Sequence, residues 1–271
     1  MTELTPTSTP DDLAMLPEAW HDDRMLLGDR RRAAPQAVFG DDHALLVAVH
    51  RADRDVLVGR GDPEGVGRLL AELVARPRVL ARLGTVRWLS VPRGSTVSDT
   101  VLADLGLAPF STWDWMSSDV VPPRSAGEDD VVRLDPTTDA PAIRRCLDHA
   151  NPGTTAVPGA PGEIAWWGVP GLEGLLGVIG AAERAGDPAG ADLSWHLHGL
   201  GVLPSARHRG LGGALAAAAT REGLAAGIDW VGLGHYAENH TARRLYERLG
   251  FVTSARFASY GPSGATTPPA S

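Results

Sequence analysis

Apolar and polar positions along this chain switch between a period of two and a helical period, with Gly- and Pro-rich punctuation between blocks. Strands are expected at 43–50 and 55–59, a helix at about 63–73, and a further helical segment ending near Leu83. A strand at 86–91, a helix at 98–105 and a strand at 112–117 complete the first series. The second begins with a strand at 131–134 and a helix at 140–149, where apolar Ile143 and Leu147 lie four apart. Residues 151–162 read as loop, and strands near 164–169 and 175–182 follow. A turn at 186–190 leads to a strand at 193–203, a helix at 210–226, a strand at 230–236, a helix at 240–249 and a strand at 251–259. Strands alternating with helices in both series imply layered α/β architecture rather than a bundle or a sandwich.

The chain has 271 residues, enough for two cores. The expected division is an N-terminal domain at 1–120, a Pro-, Gly- and acid-rich linker at 121–130, a second domain at 131–260 and a flexible tail at 261–271. A polar leader, expected to fray, runs to about Thr9. It lacks a basic-then-apolar signal pattern, and no apolar run approaches the roughly 18 to 20 residues of a membrane helix, so no membrane partner is expected. The single cysteine, Cys146, cannot form an internal disulfide, which fits a reducing cytoplasm. A net charge of -8 argues against a nucleic-acid partner. All 25 Lys-or-Arg positions are arginine, which with the abundant Ala, Gly and Pro reads as a coding bias.

The densest chemical signal is Val202-Leu203-Pro204-Ser205-Ala206-Arg207-His208-Arg209-Gly210-Leu211-Gly212-Gly213. An apolar strand ends in a proline turn, and arginines and spaced glycines open an Ala-rich helix. Glycines let backbone approach a ligand, and the N–H groups of a first helical turn are unpaired. With the helix dipole they suit an anion such as a pyrophosphate. A tight strand–helix connection would have the same composition. A Walker-type loop is excluded because the chain has no lysine.

Arg207-x-x-Gly210-x-Gly212 resembles the acyl-CoA signature of the GNAT superfamily of N-acetyltransferases. Asn239-x-x-Ala242-x-x-Leu245-Tyr246-x-x-Leu249-Gly250-Phe251 resembles that superfamily's second signature. The resemblance spans roughly 131–260 and makes this the catalytic domain. It implies a mixed, mostly antiparallel sheet flanked by helices, with acyl-CoA as cosubstrate and no metal. The backbone from Arg207 through His208, Arg209, Gly210, Leu211 and Gly212, with Gly213 beside it, would hold the pyrophosphate. The strand ending at Val202–Leu203 would splay at a bulge and pair with the pantetheine arm, and the amide of Leu203 or Val202 would polarise the thioester carbonyl. Asn239 would bind the pantetheine arm or cap its helix, and Tyr246 would protonate the departing thiolate or serve only as core.

His196 and His198 fall on one face of the preceding strand, roughly 7 Å apart by strand geometry. Histidine ionises near 6.5, which suits removal of an amine proton at neutral pH. The pair resembles the His-x-His strand of arylalkylamine N-acetyltransferase, which implies a base role for both. Two hydrogen-bonded strand histidines are the plain alternative, and a metal site lacks a third ligand at familiar spacing.

The first half repeats the order of the second. Asp62-Pro63-Glu64-Gly65-Val66-Gly67 aligns with the 207–212 turn, but acids replace both arginines and would repel a pyrophosphate. This resembles tandem GNAT proteins with one silent half and implies a GNAT-like N-terminal domain without CoA. An unrelated α/β domain is the alternative. Trp113, Asp114, Trp115, Trp166 and Trp167 are expected either to pack between halves or to line an acceptor pocket. The expected function is acyl transfer, most simply acetyl, to an amine of a small molecule, and a homodimer is compatible with it. The alternatives are a noncatalytic acyl-CoA sensor and a transferase using aminoacyl-tRNA or a protein amine.

Overall fold

A computed structural model describes residues 3–4, 16–28, 35–51, 54–184 and 192–268. The expected turn at 186–190 and most of the polar leader lie outside these residues. The strands are β1 (Glu3–Leu4), β2 (Pro35–Gly40), β3 (Ala44–Arg51), β4 (Arg54–Gly61), β5 (Val86–Pro92) and β6 (Leu107–Ser118). They continue with β7 (Val132–Leu134), β8 (Glu163–Gly171), β9 (Gly174–Glu183), β10 (Ser194–Val202), β11 (Trp230–Tyr236) and β12 (Val252–Pro262). The helices are α1 (Arg24–Leu27), α2 (Pro63–Val74), α3 (Pro77–Leu80), α4 (Asp99–Leu105), α5 (Ala140–Ala150), α6 (Leu211–Ala225) and α7 (His240–Arg248). Among the described residues no helix is long and apolar enough to cross a membrane.

The chain divides into two compact units. Unit 1 comprises Met1–Trp115, Tyr236–Glu238 and Ala255–Pro268; unit 2 contains Met116–His235 and Asn239–Ser254. Within unit 1 the strand order is β1-β2-β3-β4-β5-β12-β6, with β4 and β5 parallel. The last strand supplies the register Phe257↔Pro92 to Tyr260↔Leu89 beside β5. Residues 255–260, expected in the C-terminal domain, therefore belong to unit 1's sheet. Gly261 and Pro262, expected in the tail, still belong to β12. Within unit 2 the order is β11-β10-β9-β8-β7, with β10 and β11 parallel and the other pairs antiparallel.

Local chemistry explains the helix limits. The Asp62 side chain accepts from the Gly65 N–H at 2.7 Å, Pro63 fills the first turn, and Val66, Leu70 and Leu73 make the buried stripe of α2. Ser98 caps α4 through the Val101 N–H, and Gly106 ends it in the left-handed region. In α5 the stripe Ile143, Cys146, Leu147 and Ala150 is buried. Helix α6 is different: Ala214, Leu215, Ala216, Ala217 and Ala219 are all buried, and small side chains let other elements approach from several sides. The core of unit 2 contains Trp167, Ile179, Trp195, Leu197, Leu215, Val231 and Tyr246.

Some elements depart from the pattern reading, and neither β1, inside the leader expected to fray, nor α1 was expected. Strand β2 was not expected, because Ala37-Val38-Phe39 is a short unbroken apolar run without alternation. Strand β6 starts at Leu107 rather than 112, running through Pro109. The 121–130 segment, expected as a linker, is pinned to α6. Arg221 Nε donates to Glu128 Oε1 at 2.8 Å and Arg221 Nη2 to the Pro122 carbonyl at 2.9 Å, while the Ser125 N–H reaches Glu128 Oε2.

Burial raises the Glu128 carboxyl, but Arg221, the Ser125 N–H and Arg124 outweigh it and hold the group below its ordinary range. A depressed folded value contributes stability above the unfolded pKa and loses it as pH falls through the folded one. Arg221→Met leaves a buried carboxylate short of a partner and is expected to cost about 1–3 kcal/mol. Thermal or urea unfolding near neutral pH measures it; an unchanged midpoint would show that the pair carries no net stability.

Candidate functional site

Strand β10 runs beside β9 with Trp195↔Glu183 to His198↔Gly180, then resumes at Gly201↔Val178, so the register shifts between His198 and Gly201. One extra residue is accommodated there, with Gly199 at φ +62°, a region that disfavours a side chain. On its other edge β10 pairs with β11 only from Ser194↔Trp230 to Leu197↔Leu233, although both strands continue. The two parallel strands part after Leu197, next to the bulge. The register shift falls between His198 and Gly201, ahead of the strand end at Val202 and Leu203.

The strand end decides which amide could serve as a donor. Leu203 N–H donates to the Leu176 carbonyl at 2.8 Å. Its amide is therefore engaged, which corrects its candidacy as a donor to the thioester carbonyl. Antiparallel ladders alternate hydrogen-bonded and non-bonded pairs, so Val202, paired with Gly177, directs its N–H away from β9. Of the two expected amides, Val202 is the one facing the splayed side.

Two ties hold this strand end. Arg207 Nε donates to the Val202 carbonyl at 3.1 Å and Arg207 Nη2 to the Ala150 carbonyl at 3.2 Å. Asn151 Nδ2 donates to the Leu200 carbonyl within the bulge at 3.1 Å. The Arg207 guanidinium joins the C-terminus of α5 to the strand. Asn151 was missed, since a loop asparagine carries no distinguishing signal.

Beyond Arg207 the backbone turns through two left-handed residues, His208 at φ +62° and Gly210 at φ +80°. Gly210 stands at the N-cap of α6 with no side-chain cap, and the first backbone bonds are Gly213 and Ala214 N–H to the Gly210 carbonyl. The N–H groups of His208, Arg209, Gly210, Leu211 and Gly212 thus have no partner among the described residues. A Cβ at Gly213 would meet no atom within 4 Å. Arg209 is exposed and carries no ion pair among the described residues. An uncapped helix start, an open backbone face and an arginine fit a bound pyrophosphate.

Tyr246 sits on α7 inside the core, 6% exposed, against His235 and Phe251. Burial pushes its phenol well above the ordinary value, so it is protonated at neutral pH. Asn239 Oδ1 accepts from the Ala242 N–H at 3.0 Å and caps α7, the second of its two expected roles.

His196 and His198 share a strand face, opposite Ala182 and Gly180 of β9. The sequence did not reveal that Glu163, just past the acid-free loop, lies against His198. Its Oε1 is 2.7 Å from His198 Nε2, with both side chains about 90% buried. Trp166 Nε1 donates to the other Glu163 oxygen at 2.5 Å. Trp167 Nε1 donates to Glu222 and its ring packs against Trp195. In unit 1, Trp113 stacks on Phe257 at 4.5 Å and Asp114 accepts from Arg93. These partners lie within each residue's own unit.

Unit 1 repeats the order of antiparallel pair, helix and parallel strand with β3, β4, α2 and β5. Its counterpart of the site is filled in. Asp62 occupies the start of α2, and Pro63 has no N–H to offer. The β3–β4 ladder runs from Ala44↔Gly61 to Arg51↔Arg54 without a register shift, so β4 has no bulge there. The loop after β5 closes on the helix, since a Cβ at Gly67 would come within 2.9 Å of the Thr96 carbonyl oxygen.

No curated protein matches the sequence. Among solved structures, a GCN5-related N-acetyltransferase from Kribbella flavida aligns at TM-score 0.54 and 20% identity, covering 91% of this chain and 96% of that one. One from Sphaerobacter thermophilus aligns at TM-score 0.52 and 18% identity, covering 83% and 76%. At such identity the likeness concerns the fold. Residues 154–251, which carry β10, the turn, α6 and α7, match the model of the Acetyltransferase (GNAT) family.

Proposed function

We propose that the chain is an acyl-CoA-dependent N-acyltransferase, most simply moving acetyl to an amine of a small molecule in a ternary complex. The observation that carries this reading is the uncapped start of α6 beside a bulged, splayed β10. Acyl-CoA, when bound, supplies an activated thioester carbonyl. The N–H groups from His208 to Gly212 hold the pyrophosphate, with Arg209 adding charge. Arg207 keeps the strand end in place, and the Val202 N–H donates to the thioester oxygen. His198, with His196 beside it, removes the amine proton, and Tyr246 returns a proton to the thiolate sulfur. Unit 1 acts as a silent partner that does not bind CoA.

Release of CoA, followed against a panel of small amines with acetyl-, succinyl- and longer acyl donors, tests the reading. Turnover with none of them would set it aside. With an active pair in hand, kcat/KM is expected to rise with pH through an ionisation of the base, because only neutral imidazole accepts a proton. The double variant His196→Gln/His198→Gln should lose that ionisation and slow by about 100-fold. Acceptors of different basicity separate this from titration of the amine. An ionisation that follows the acceptor and survives in the double variant would remove the pair from the mechanism.

A further inference from the structure

Glu163 opens β8 directly after the 151–162 loop, and its carboxylate is 6% exposed. The two oxygens divide their work: one accepts from Trp166 Nε1 at 2.5 Å, and the other lies 2.7 Å from His198 Nε2. The wholly buried Trp166 meets the His198 ring edge to face at 5.2 Å. From β9, a Cβ at Gly180 would come within 2.6 Å of His198 Cε1. The imidazole is thus held by a carboxylate, an indole and the neighbouring strand.

Oε1 approaches Nε2 off the direction of a good hydrogen bond, and neither ring nitrogen has a hydrogen-bond partner among the described residues. The carboxylate therefore acts on the ring mainly through its charge. Nδ1 is buried as well, and a buried polar atom without a partner costs about 1–3 kcal/mol, which a proton-donating ligand there would offset.

We infer that Glu163 is the positioning residue of the His198 base, holding the imidazole on its Nε2 side so that Nδ1 receives the proton of the acceptor amine. This rests on the acyltransferase reading above. As the amine nitrogen bonds to the acyl carbon and the C–S bond breaks, an N–H bond of the amine breaks and its proton goes to Nδ1. The imidazolium faces the Glu163 carboxylate and later passes its proton to water; the sulfur takes its proton from Tyr246, whose phenolate regains one from water.

Among the described residues of β9, β10 and α5, none supplies that negative charge. On the same sheet face β10 offers His196, and β9 offers Gly180 and Ala182. From α5 comes Cys146, whose thiol burial pushes up to about 11, so it is neutral. The charged residues of α5, Arg144, Arg145, Asp148 and His149, are exposed.

Glu163→Gln keeps an oxygen for Trp166 Nε1 and removes the charge, so the fold should survive. Glu163→Asp keeps the charge as a second variant, and thermal unfolding checks both. In the protein without substrate, the NMR titration of His198, assigned with His198→Gln, should shift to lower pH in Glu163→Gln. The sign follows from losing a carboxylate that stabilises the imidazolium. The ascending limb of kcat/KM should move down with it, the plateau should fall on the order of tenfold, and Glu163→Asp should restore part of both. In a His198→Gln background, Glu163→Gln should add no further loss.

An unchanged His198 midpoint in a folded Glu163→Gln protein would overturn the inference. So would a shifted midpoint with an unmoved pH–rate profile. If the wild-type protein turns over no amine at all, the acyltransferase reading fails and takes the proton-transfer step with it. The titration still decides by itself whether Glu163 holds the His198 charge.

Discussion

Arg207→Glu is expected to weaken acyl-CoA binding by roughly 30-fold or more, whereas Asp62→Ala leaves it within about twofold. The first substitution removes the hydrogen bonds to the Val202 and Ala150 carbonyls, and with them the tie between α5, the strand end and the turn. It also sets a carboxylate beside N–H groups that have no partner, where an anionic ligand would meet repulsion. Asp62 holds the matching place in unit 1, but there it caps α2 through the Gly65 N–H. Its removal should cost about 1 kcal/mol of stability and nothing in affinity. Calorimetric titration with acetyl-CoA and thermal unfolding separate the two effects. CoA bound at the start of α2, or an affinity that follows Asp62 rather than Arg207, would reverse the assignment of the two units.

Tyr246→Phe is expected to lower kcat by about 100- to 1,000-fold while acyl-CoA affinity changes less than about twofold. The ring stays in the core beside His235 and Phe251, so packing is preserved and only the hydroxyl is lost. Because burial raises the phenol pKa, its proton stays in place throughout the usual assay range. An acid works only while protonated, so activity should show no fall caused by Tyr246 below about pH 10. Steady-state kinetics over pH 6 to 10 with both proteins measures this. Undiminished turnover by the phenylalanine variant would leave Tyr246 as a packing residue.

The positions of helices and strands were largely legible because their signals are local. Asp62 before Pro63, Ser98 before α4 and Gly106 after it are chemical limits written in adjacent residues. Strand β2 was not legible, because three apolar residues in a row carry no period. The helical stripe on α7 placed Tyr246 correctly, yet could not separate an acid from a core residue, since both need the same buried position. The glycine spacing from Arg207 to Gly213 marked a tight turn into a helix, while Arg207's partners were not legible, because they belong to α5 and β10.

By itself, then, the sequence determined the alternation of elements, the contrast between an acidic and an arginine-bearing turn, and the strand that carries the two histidines. Periodicity, capping and charge act over a few residues, so they survive in a linear reading. Only the tertiary structure decided that Leu203's amide is engaged and that Val202's faces the splay, because ladder register depends on β9. It alone assigned Ala255–Pro262 to unit 1 and anchored Glu128 on α6, since both depend on partners distant in sequence. The same holds for Glu163 and His198: 35 positions apart in the numbering, they meet at 2.7 Å because β8, β9 and β10 lie side by side.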